Sequence, residues 1–539
     1  MTNENIQQAV IIWEIDRDSA LDIYGDIEQW DTSRVTSFRS LFEDRQDEFK
    51  HNLNSWDTAQ VTDMSLLARN APFFQAEIGG WDTRSVRDLS RAFAGAARFS
   101  NDLSLWDVRN VESMIETFAR TEQFNSRLPW KAASCTSMAR MFANATAFSA
   151  SVSDFQLSRG LTDLSQMFEG AINFNDEGIG NWQVDSVVNM RGMFRNAESM
   201  DVDLGGWNVS SLVDAESMLE GATSYTGRGI ENWSTPRLSN MRATFRDATA
   251  FNGQVQRFDV TSVTDMSSLF QRATAFAQPL SDWNTGRVTD MSSMLADLPN
   301  FNGNVSGLNT SMVQRMNGMF YNATKFQGTG LETFQTERVL DMRDMFSRNY
   351  ALESPDLSRW DVSSVQFMRG IFMYCNSLNT NSMKEWNTAS LLDMAYAFAF
   401  AKEFDGSLEG WDTSQVTDLE GTFQGALAFN QGFFGSLSWS TRSVNNFASM
   451  FKDARSFNQP VPFDTTIANR IERMFDGAWS FNQPLNTFTT STVSDLSFFF
   501  RDAHAFNQNI DTFDTSRVKT FQGKKEDALC WDTRRQSYI

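Results

Sequence analysis

The sequence contains few of the residues that interrupt secondary structure, form disulfide crosslinks or commonly take part in catalysis. Its 539 residues include only 9 Pro, 3 Cys and 2 His, and no run rich in Pro, Gly or Ser marks a linker. The lack of linkers argues against a string of separate globular domains. Cys135, Cys375 and Cys530 lie too far apart for a local metal or redox motif, so disulfide stapling is not expected to hold the chain together.

Basic residues are also in deficit. The 46 Lys and Arg against 67 Asp and Glu leave a net charge of −21, spread along the chain. Phosphate binding needs a positive face, so nucleic acid is not an expected partner. The apolar run at residues 9–13 is short and is followed by Glu14 and Asp16, which predicts neither a signal peptide nor a membrane span. With Met1 as the native start, an intracellular location is expected.

What the sequence has in abundance is repetition. Variants of the pattern W-D-T-S-x-V-T-D-M-S-x-M-F recur about every 25 residues from Trp30 to Phe513. Both the spacing and the near-complete coverage of the chain indicate a single array of stacked repeats, in which each copy closes the apolar core of the next.

The spacing of apolar residues within one copy predicts its secondary structure. In the copy that begins at Trp283, the first step is two residues, to Thr285, and the later steps of three and four lead through Val288, Met291 and Leu295. A step of two is typical of a strand, and steps of three and four are typical of a helix. The pattern therefore predicts an α/β solenoid of about 20 strand–helix coils with a parallel sheet on one face.

The repeats divide the chain into three predicted segments. Residues 1–29 precede the first copy and are expected to form a capping helix over its open end. Residues 30–521 form the array, and residues 522–539 form an incomplete last coil and a tail. An open end exposes apolar core and a strand edge. We therefore expect either association of the chain through this C-terminal coil or its closure by the basic tail.

Several of the repeats resemble those of BspA-like leucine-rich-repeat surface proteins, which occur in bacteria and in many unicellular eukaryotes. The matching words include "WDTAQVTDMSLL" at Trp56, "FDVTSVTDMSSLF" at Phe258, "WNTGRVTDMSSML" at Trp283 and "SFNQPLNTF" at Ser480. The resemblance implies a leucine-rich-repeat-like α/β solenoid of the eukaryotic-microbe type. It also implies a role in adhesion or recognition at the cell surface, and it brings no catalytic residues.

A row of acidic residues occupies the middle position of W-D-T. Because the flanking positions are expected to face inward, these side chains should point outward and form an acidic binding surface. Asx turns, in which each carboxylate accepts a backbone N–H, are favoured over calcium binding, since calcium needs several oxygens at one point. The row comprises Asp31, Asp57, Asp82, Asp107, Asp259, Asp361, Asp412 and Asp514.

The remaining candidates for chemistry are few. His51 and His504 are interpreted as solvated surface residues, because neither stands near a nucleophile or metal-spacing motif. A row of Thr, including Thr285 and Thr310, interchanges with Val and is interpreted as core, with an ice- or mineral-binding lattice as the lesser alternative.

The sequence therefore predicts a non-catalytic binding, adhesion or scaffolding protein. No cofactor or metal is expected, and the predicted partner is a protein or a glycan. The alternative is a structural subunit of a larger assembly. An enzyme is the third class, and the sequence offers no residue constellation for it.

Overall fold

The structure is a computed structural model that describes residues 1–433 and 439–520. The chain divides into two compact units, one of residues 1–263 with 272–276, the other of residues 264–271 with 277 onward. Within each unit, successive repeats lie side by side and are joined by backbone hydrogen bonds. The predicted last coil and tail lie outside the described residues, as do Cys530 and the association expected through this end.

Two α-helices precede the first repeat: α1 (Ile6–Ile15) and α2 (Arg17–Tyr24). The Asp16 side chain accepts the Ser19 N–H at 3.1 Å and so caps α2. α1 buries one apolar face, and Gln7 Nε2 donates to the Arg39 carbonyl of the first repeat at 3.1 Å. The segment before the first repeat therefore supplies it with both apolar and polar contacts. Among the described residues, no helix has the length and apolar character needed to cross a bilayer.

The repeats do not form strand–helix coils, and the predicted α/β solenoid with a parallel sheet is wrong. Among the described residues, β-type pairing between repeats is limited to isolated parallel β-bridges, such as the one between Asp63 and Asp88. A sheet needs consecutive paired residues on each strand. Beyond α1 and α2, the helical structure of residues 1–433 and 439–520 consists of short 3-10 helices at Ile27–Gln29, Glu177–Asn181, Ile230–Asn232 and Leu331–Thr333.

The segment predicted as a helix is a series of tight turns, as residues 89–96 illustrate. The N–H groups of Leu89, Arg91, Phe93 and Gly95 donate to carbonyls of the following repeat at 2.7–3.1 Å. The N–H groups of Ala92, Ala94 and Ala96, which lie between them, each donate to the carbonyl three residues earlier at 2.9–3.2 Å. Backbone hydrogen bonds thus alternate between the repeat itself and its neighbour.

Left-handed residues explain why these turns have the apolar spacing that is typical of a helix. Arg91 has φ 57° and Gly95 has φ 78°, and the same pair, four residues apart, recurs in other repeats, for example at Gly192 and Asn196. A left-handed residue has no place inside a right-handed α-helix. The reversals return every third or fourth side chain to the interior, so the turns reproduce the helical spacing.

The W-D-T tripeptide has the burial pattern of a strand but not its pairing. Trp81 and Thr83 are buried, whereas Asp82 between them is partly exposed. Thr83 Oγ1 donates to the Asp107 carbonyl at 3.1 Å and accepts the Asp107 N–H at 2.8 Å. A side-chain hydroxyl therefore stands between the two backbones where a sheet would have direct N–H to carbonyl bonds.

The core consists of aromatic ladders that run from repeat to repeat. Trp81 stacks between Trp56 and Trp106 with ring centroids 6.1 and 6.4 Å apart, and its Nε1 donates to the Leu53 carbonyl at 2.8 Å. In the Phe ladder, Phe99 stacks on its equivalent one repeat later at 5.9 Å. Aromatic side chains therefore form rows through the interior, one ring from each repeat.

The individual core residues predicted in the copy at Trp283 are also buried. Trp283, Val288, Met291 and Leu295 are at most 1% exposed. Trp283 stacks on Phe270 at 6.1 Å.

Two cysteines occupy the core. Cys135 and Cys375 are buried and free. Burial raises the pKa of the Cys135 thiol to about 11 and raises the pKa of Cys375 further. Both side chains are therefore neutral thiols at physiological pH and serve as small apolar residues.

The Trp ladder can be tested at Trp386, which stacks between Trp360 and Trp411 at 6.0 and 5.7 Å and donates to the Leu357 carbonyl. Trp386→Ala is expected to lower the free energy of unfolding by about 3–5 kcal/mol, because it leaves a cavity. Trp386→Phe keeps the stacking and loses mainly the indole hydrogen bond, about 1 kcal/mol. Urea unfolding measures both, and equal losses would contradict the ladder.

The left-handed turns can be tested at Gly192, which has φ 58° in the middle of the segment predicted as a helix. Gly192→Ala is expected to destabilise the protein by about 1 kcal/mol, because Cβ is disfavoured in this conformation. In a helix the same change would stabilise by about 1 kcal/mol. Gly192→Asn is the control, since Asn tolerates left-handed backbone. A higher unfolding free energy for Gly192→Ala than for the native protein would contradict the left-handed turn and support the predicted helix.

Candidate binding surface

The predicted acidic row takes part in turns. In each case the carboxylate accepts the N–H two residues further along at 2.8–3.2 Å, which is the geometry of an Asx turn. The side chains are exposed or half-buried. Whether the row also binds a partner stays a prediction for Asp31, Asp57, Asp82, Asp107, Asp259, Asp361, Asp412 and Asp514.

Hydrogen bonds to these carboxylates favour their charged form. The side chain and N–H of Ser363 lower the pKa of Asp361, and equivalent serines do the same for Asp31 and Asp514. For Asp82 and Asp107, the largest cause of the lowered pKa is the guanidinium two residues further on. These five carboxylates therefore stay ionised to a lower pH than an ordinary Asp side chain does.

A second acidic row was missed in the sequence. The Asp of V-T-D lies at the β-bridges, and here too the carboxylate accepts the N–H two residues on, as Asp63 does from Ser65 at 2.8 Å. Some members also bind arginine: Asp290 accepts from Arg315 Nε at 2.8 Å. The repeated Asp in V-T-D was the available signal, but the assignment of a helix to this segment concealed its role in a turn.

The two histidines differ from each other. His51 is not a solvated residue as predicted, because it is half-buried and its Nε2 accepts the Trp13 Nε1–H at 3.3 Å. It thereby links α1 to the first repeat. His504 is exposed, with its ring 5.8 Å from that of Trp479.

The Thr row lies inside the protein, as predicted. Thr285 and Thr310 are at most 1% exposed. Their hydroxyls donate to backbone carbonyls of the next repeat at 2.8 and 2.9 Å. A buried row cannot present a lattice to ice or mineral, so that alternative is excluded for these two positions.

The two left-handed positions of each repeat form two rows on the surface. In the second unit, the first left-handed row includes Ser293, Gly318, Asp344, Gly370 and Tyr396. The second left-handed row lies four residues later in each repeat and includes Asp297, Asn322, Arg348, Tyr374 and Phe400. Side-chain type varies strongly along both rows, while the core positions of the same repeats keep Val, Met and Phe.

A groove of about 480 Å³ lies between these rows in the second unit. Gly318 lines it at a place where the neighbouring repeats carry Ser293 and Asp344, so the missing side chain opens the space. Arg343 and Arg369 are also among the lining residues. Burial raises the pKa of Asp344, and the two arginines oppose that rise.

Aromatic residues also occupy left-handed positions in the second unit. Tyr374, Tyr396 and Phe400 have φ between 57° and 63°, a conformation that costs a residue with a Cβ about 1–2 kcal/mol. In the first unit, which is described in full, no left-handed residue is aromatic. These three residues adopt the strained conformation although their rings are only half-buried. Backbone strain of this kind is often found at functional sites.

A polar network ties these rings to charged residues. Tyr396 Oη donates to Glu420 at 2.6 Å, and Glu420 also accepts from Asn446 at 2.9 Å and Arg470 at 3.1 Å. Burial acts to raise the pKa of Glu420, but these hydrogen bonds hold it below its ordinary value. Burial and then Glu420 raise the pKa of Tyr396 to about 12. The tyrosine is therefore a neutral hydrogen-bond donor at physiological pH.

The sequence carried one signal for this region that was overlooked. Four of the seven Tyr fall between residues 321 and 396, at Tyr321, Tyr350, Tyr374 and Tyr396. Within residues 1–433 and 439–520, no group of three or more His, Cys, Asp or Glu side chains is placed to hold a metal.

Stacked turns with a continuous aromatic core define a tandem-repeat protein. Successive segments of the sequence match the family described as "Mycoplasma protein of unknown function, DUF285", at residues 16–130, 128–228, 226–331, 300–384, 375–466 and 434–532. These matches cover nearly the entire chain, so the chain belongs to this family.

Other comparisons add little. No curated protein matches the sequence. Among solved structures, one match is the "Crystal structure of TLR13-ssRNA13 complex", at 9% identity over 88% of this chain and 80% of that chain. Its TM-score is 0.20, which carries no argument about fold or ligand.

The Asx turns can be tested at Asp361. Asp361→Asn is expected to leave stability at neutral pH nearly unchanged, because the amide oxygen still accepts the Ser363 N–H. The native carboxylate has a lowered pKa, so its contribution is present above the unfolded value of 3.8 and is lost as pH falls through the lower folded value. Thermal unfolding between neutral pH and pH below 3.8 should show less acid destabilisation in the variant. Stoichiometric calcium binding, abolished in Asp361→Asn, would contradict the turn role.

Proposed function

We propose that this chain is a non-catalytic repeat protein that binds another macromolecule through the exposed side chains of its repeats. The support is the contrast between a constant core and variable outer rows. Core positions repeat Trp, Val, Met and Phe, whereas the left-handed rows change from Gly to Ser, Asp, Arg and Tyr. A constant frame with variable outer positions is the common design of repeat proteins that bind partners.

The location and partner follow from the resemblance rather than from the geometry. BspA-like repeats imply adhesion or recognition at a cell surface, with a protein or glycan as partner. The acidic row at W-D-T contributes to the proposed surface in a secondary way, because one oxygen of each carboxylate is already held in a turn. The arginine two residues further on binds the other oxygen in Asp82 and Asp107, whereas that oxygen of Asp361 and Asp412 is available to a partner, so the row is expected to affect association rate more than affinity.

The experiment is capture of partners by the immobilised full chain from the cells that express it, followed by titration calorimetry with each purified candidate. We expect a macromolecule that binds saturably with fixed stoichiometry and without being chemically changed. A permanent complex of constant composition would favour the structural-subunit alternative. The absence of any saturable partner, or turnover of a bound small molecule, would overturn the proposal.

A further inference from the structure

We infer that the contact between α1 and the first repeat is a pH switch, in which protonation of His51 releases Trp13 and loosens the end of α1. The His51 switch consists of Trp13 on α1, His51 in the first repeat and Glu28 in the 3-10 helix Ile27–Gln29. Trp13 Nε1 donates to His51 Nε2 at 3.3 Å, and His51 Nδ1 lies 3.5 Å from Glu28 Oε1. The imidazole therefore faces a donor on one side and an acceptor on the other.

These two neighbours determine which nitrogen carries the hydrogen in the neutral ring. A neutral imidazole has one N–H and one nitrogen that accepts. Because Trp13 offers an N–H, Nε2 is the acceptor, and Nδ1 carries the hydrogen on the side of the Glu28 carboxylate. Glu28 is itself held in place, since its Oε1 also accepts the Asn52 N–H at 3.1 Å.

Protonation removes the acceptor that Trp13 needs. Both nitrogens of a charged imidazole are donors, so no rotation of the His51 ring can accept the Trp13 N–H. Trp13 is only 3% exposed, and a buried N–H that has lost its acceptor is costly. The charged ring keeps Glu28 as a partner, and a hydrogen bond between opposite charges is stronger than a neutral one. Protonation therefore transfers the interactions of His51 from α1 to the 3-10 helix.

Each protonation state thus has a partner of its own. Trp13 stabilises the neutral ring and Glu28 stabilises the charged ring. Histidine is also the side chain that ordinarily changes charge between about pH 5 and 8. The effect is local, because α1 keeps its buried apolar face and the bond from Gln7 to the Arg39 carbonyl near its start. Loosening is expected in the second half of α1 and in α2, without unfolding of the repeats.

Other charged groups surround the switch. They are Glu14 of α1 with its ion-pair partner Arg45, Arg17 of α2, Asp47, the Glu48–Lys50 ion pair beside His51, and Glu77, whose N–H donates to the His51 carbonyl. The Arg17 guanidinium lies over the Trp13 ring at 4.7 Å, so its charge opposes a second positive charge on His51. Glu14 is the competing site for a proton, because burial raises its pKa while Arg45 opposes that rise.

The test follows Trp13 in the full chain by fluorine NMR after incorporation of 5-fluorotryptophan, with the Trp13 signal identified as the one lost in Trp13→Phe. We expect this signal to move in a single-proton transition between about pH 5 and 8. Hydrogen exchange at residues 11–24, divided by the intrinsic rate at each pH, should become about fivefold faster below the transition, which corresponds to the loss of one hydrogen bond.

His51→Gln is the decisive variant, because its amide can accept from Trp13 and donate to Glu28 but cannot titrate. Its thermal unfolding midpoint at pH 8 should match that of the native protein, and both pH responses should disappear. Glu28→Gln removes the partner of the charged ring and should move the transition to lower pH. His504→Gln is the matched control, because it removes the other of the two histidines and should leave both responses unchanged.

A Trp13 signal that stays constant across this pH range would overturn the inference, as would one that changes equally in the native protein and in His51→Gln. A response that persists in His51→Gln and disappears in Glu14→Gln would also overturn it, since Glu14 would then be the group that takes up the proton.

Discussion

The fold depends on how the backbone satisfies its hydrogen bonds without a helix or a sheet. In residues 89–96, every second N–H group donates to the following repeat and the others close tight turns within the repeat. No repeat can complete this pattern alone, because half of its donors need a neighbour. Buried polar groups left unpaired are costly, so the repeats are obliged to stack in register. Two left-handed residues in each repeat allow the backbone to alternate in this way without steric clash.

This dependence also accounts for the N-terminal segment. No earlier repeat is present to donate N–H groups to the turn carbonyls of the first repeat. Gln7 donates to Arg39 from α1, and Asn3 accepts the Thr36 N–H at 2.9 Å. The Trp ladder meets a similar requirement, because Trp30 packs edge-on against Trp13 with ring centroids 6.0 Å apart. Residues before the first repeat thus replace a missing neighbour in both its polar and apolar contacts.

The sequence was sufficient to predict which side chains are buried, but not the conformation of the backbone. Burial of Trp283, Val288 and Met291 followed from spacing alone, because apolar periodicity reports which side chains face inward. The same spacing could not distinguish a helix from tight turns. Gly192 in the middle of the segment was the available contrary signal, since Gly is unfavourable inside a helix and favourable at positive φ. Reading Gly and Asn four residues apart as turn residues would have corrected the fold class.

The surface was the least predictable part, because its features arise between repeats. Whether Tyr396 can occupy a left-handed position depends on Gly421 one repeat later, which leaves room for the ring. The same relation links Phe400 to Gly425. Each of these two aromatic residues thus stands against a glycine about 25 residues later, and the two members of each pair must change together. A substitution in one repeat alone would lose the ring contact or strain the backbone, so each aromatic–glycine pair is expected to be kept or lost as a unit.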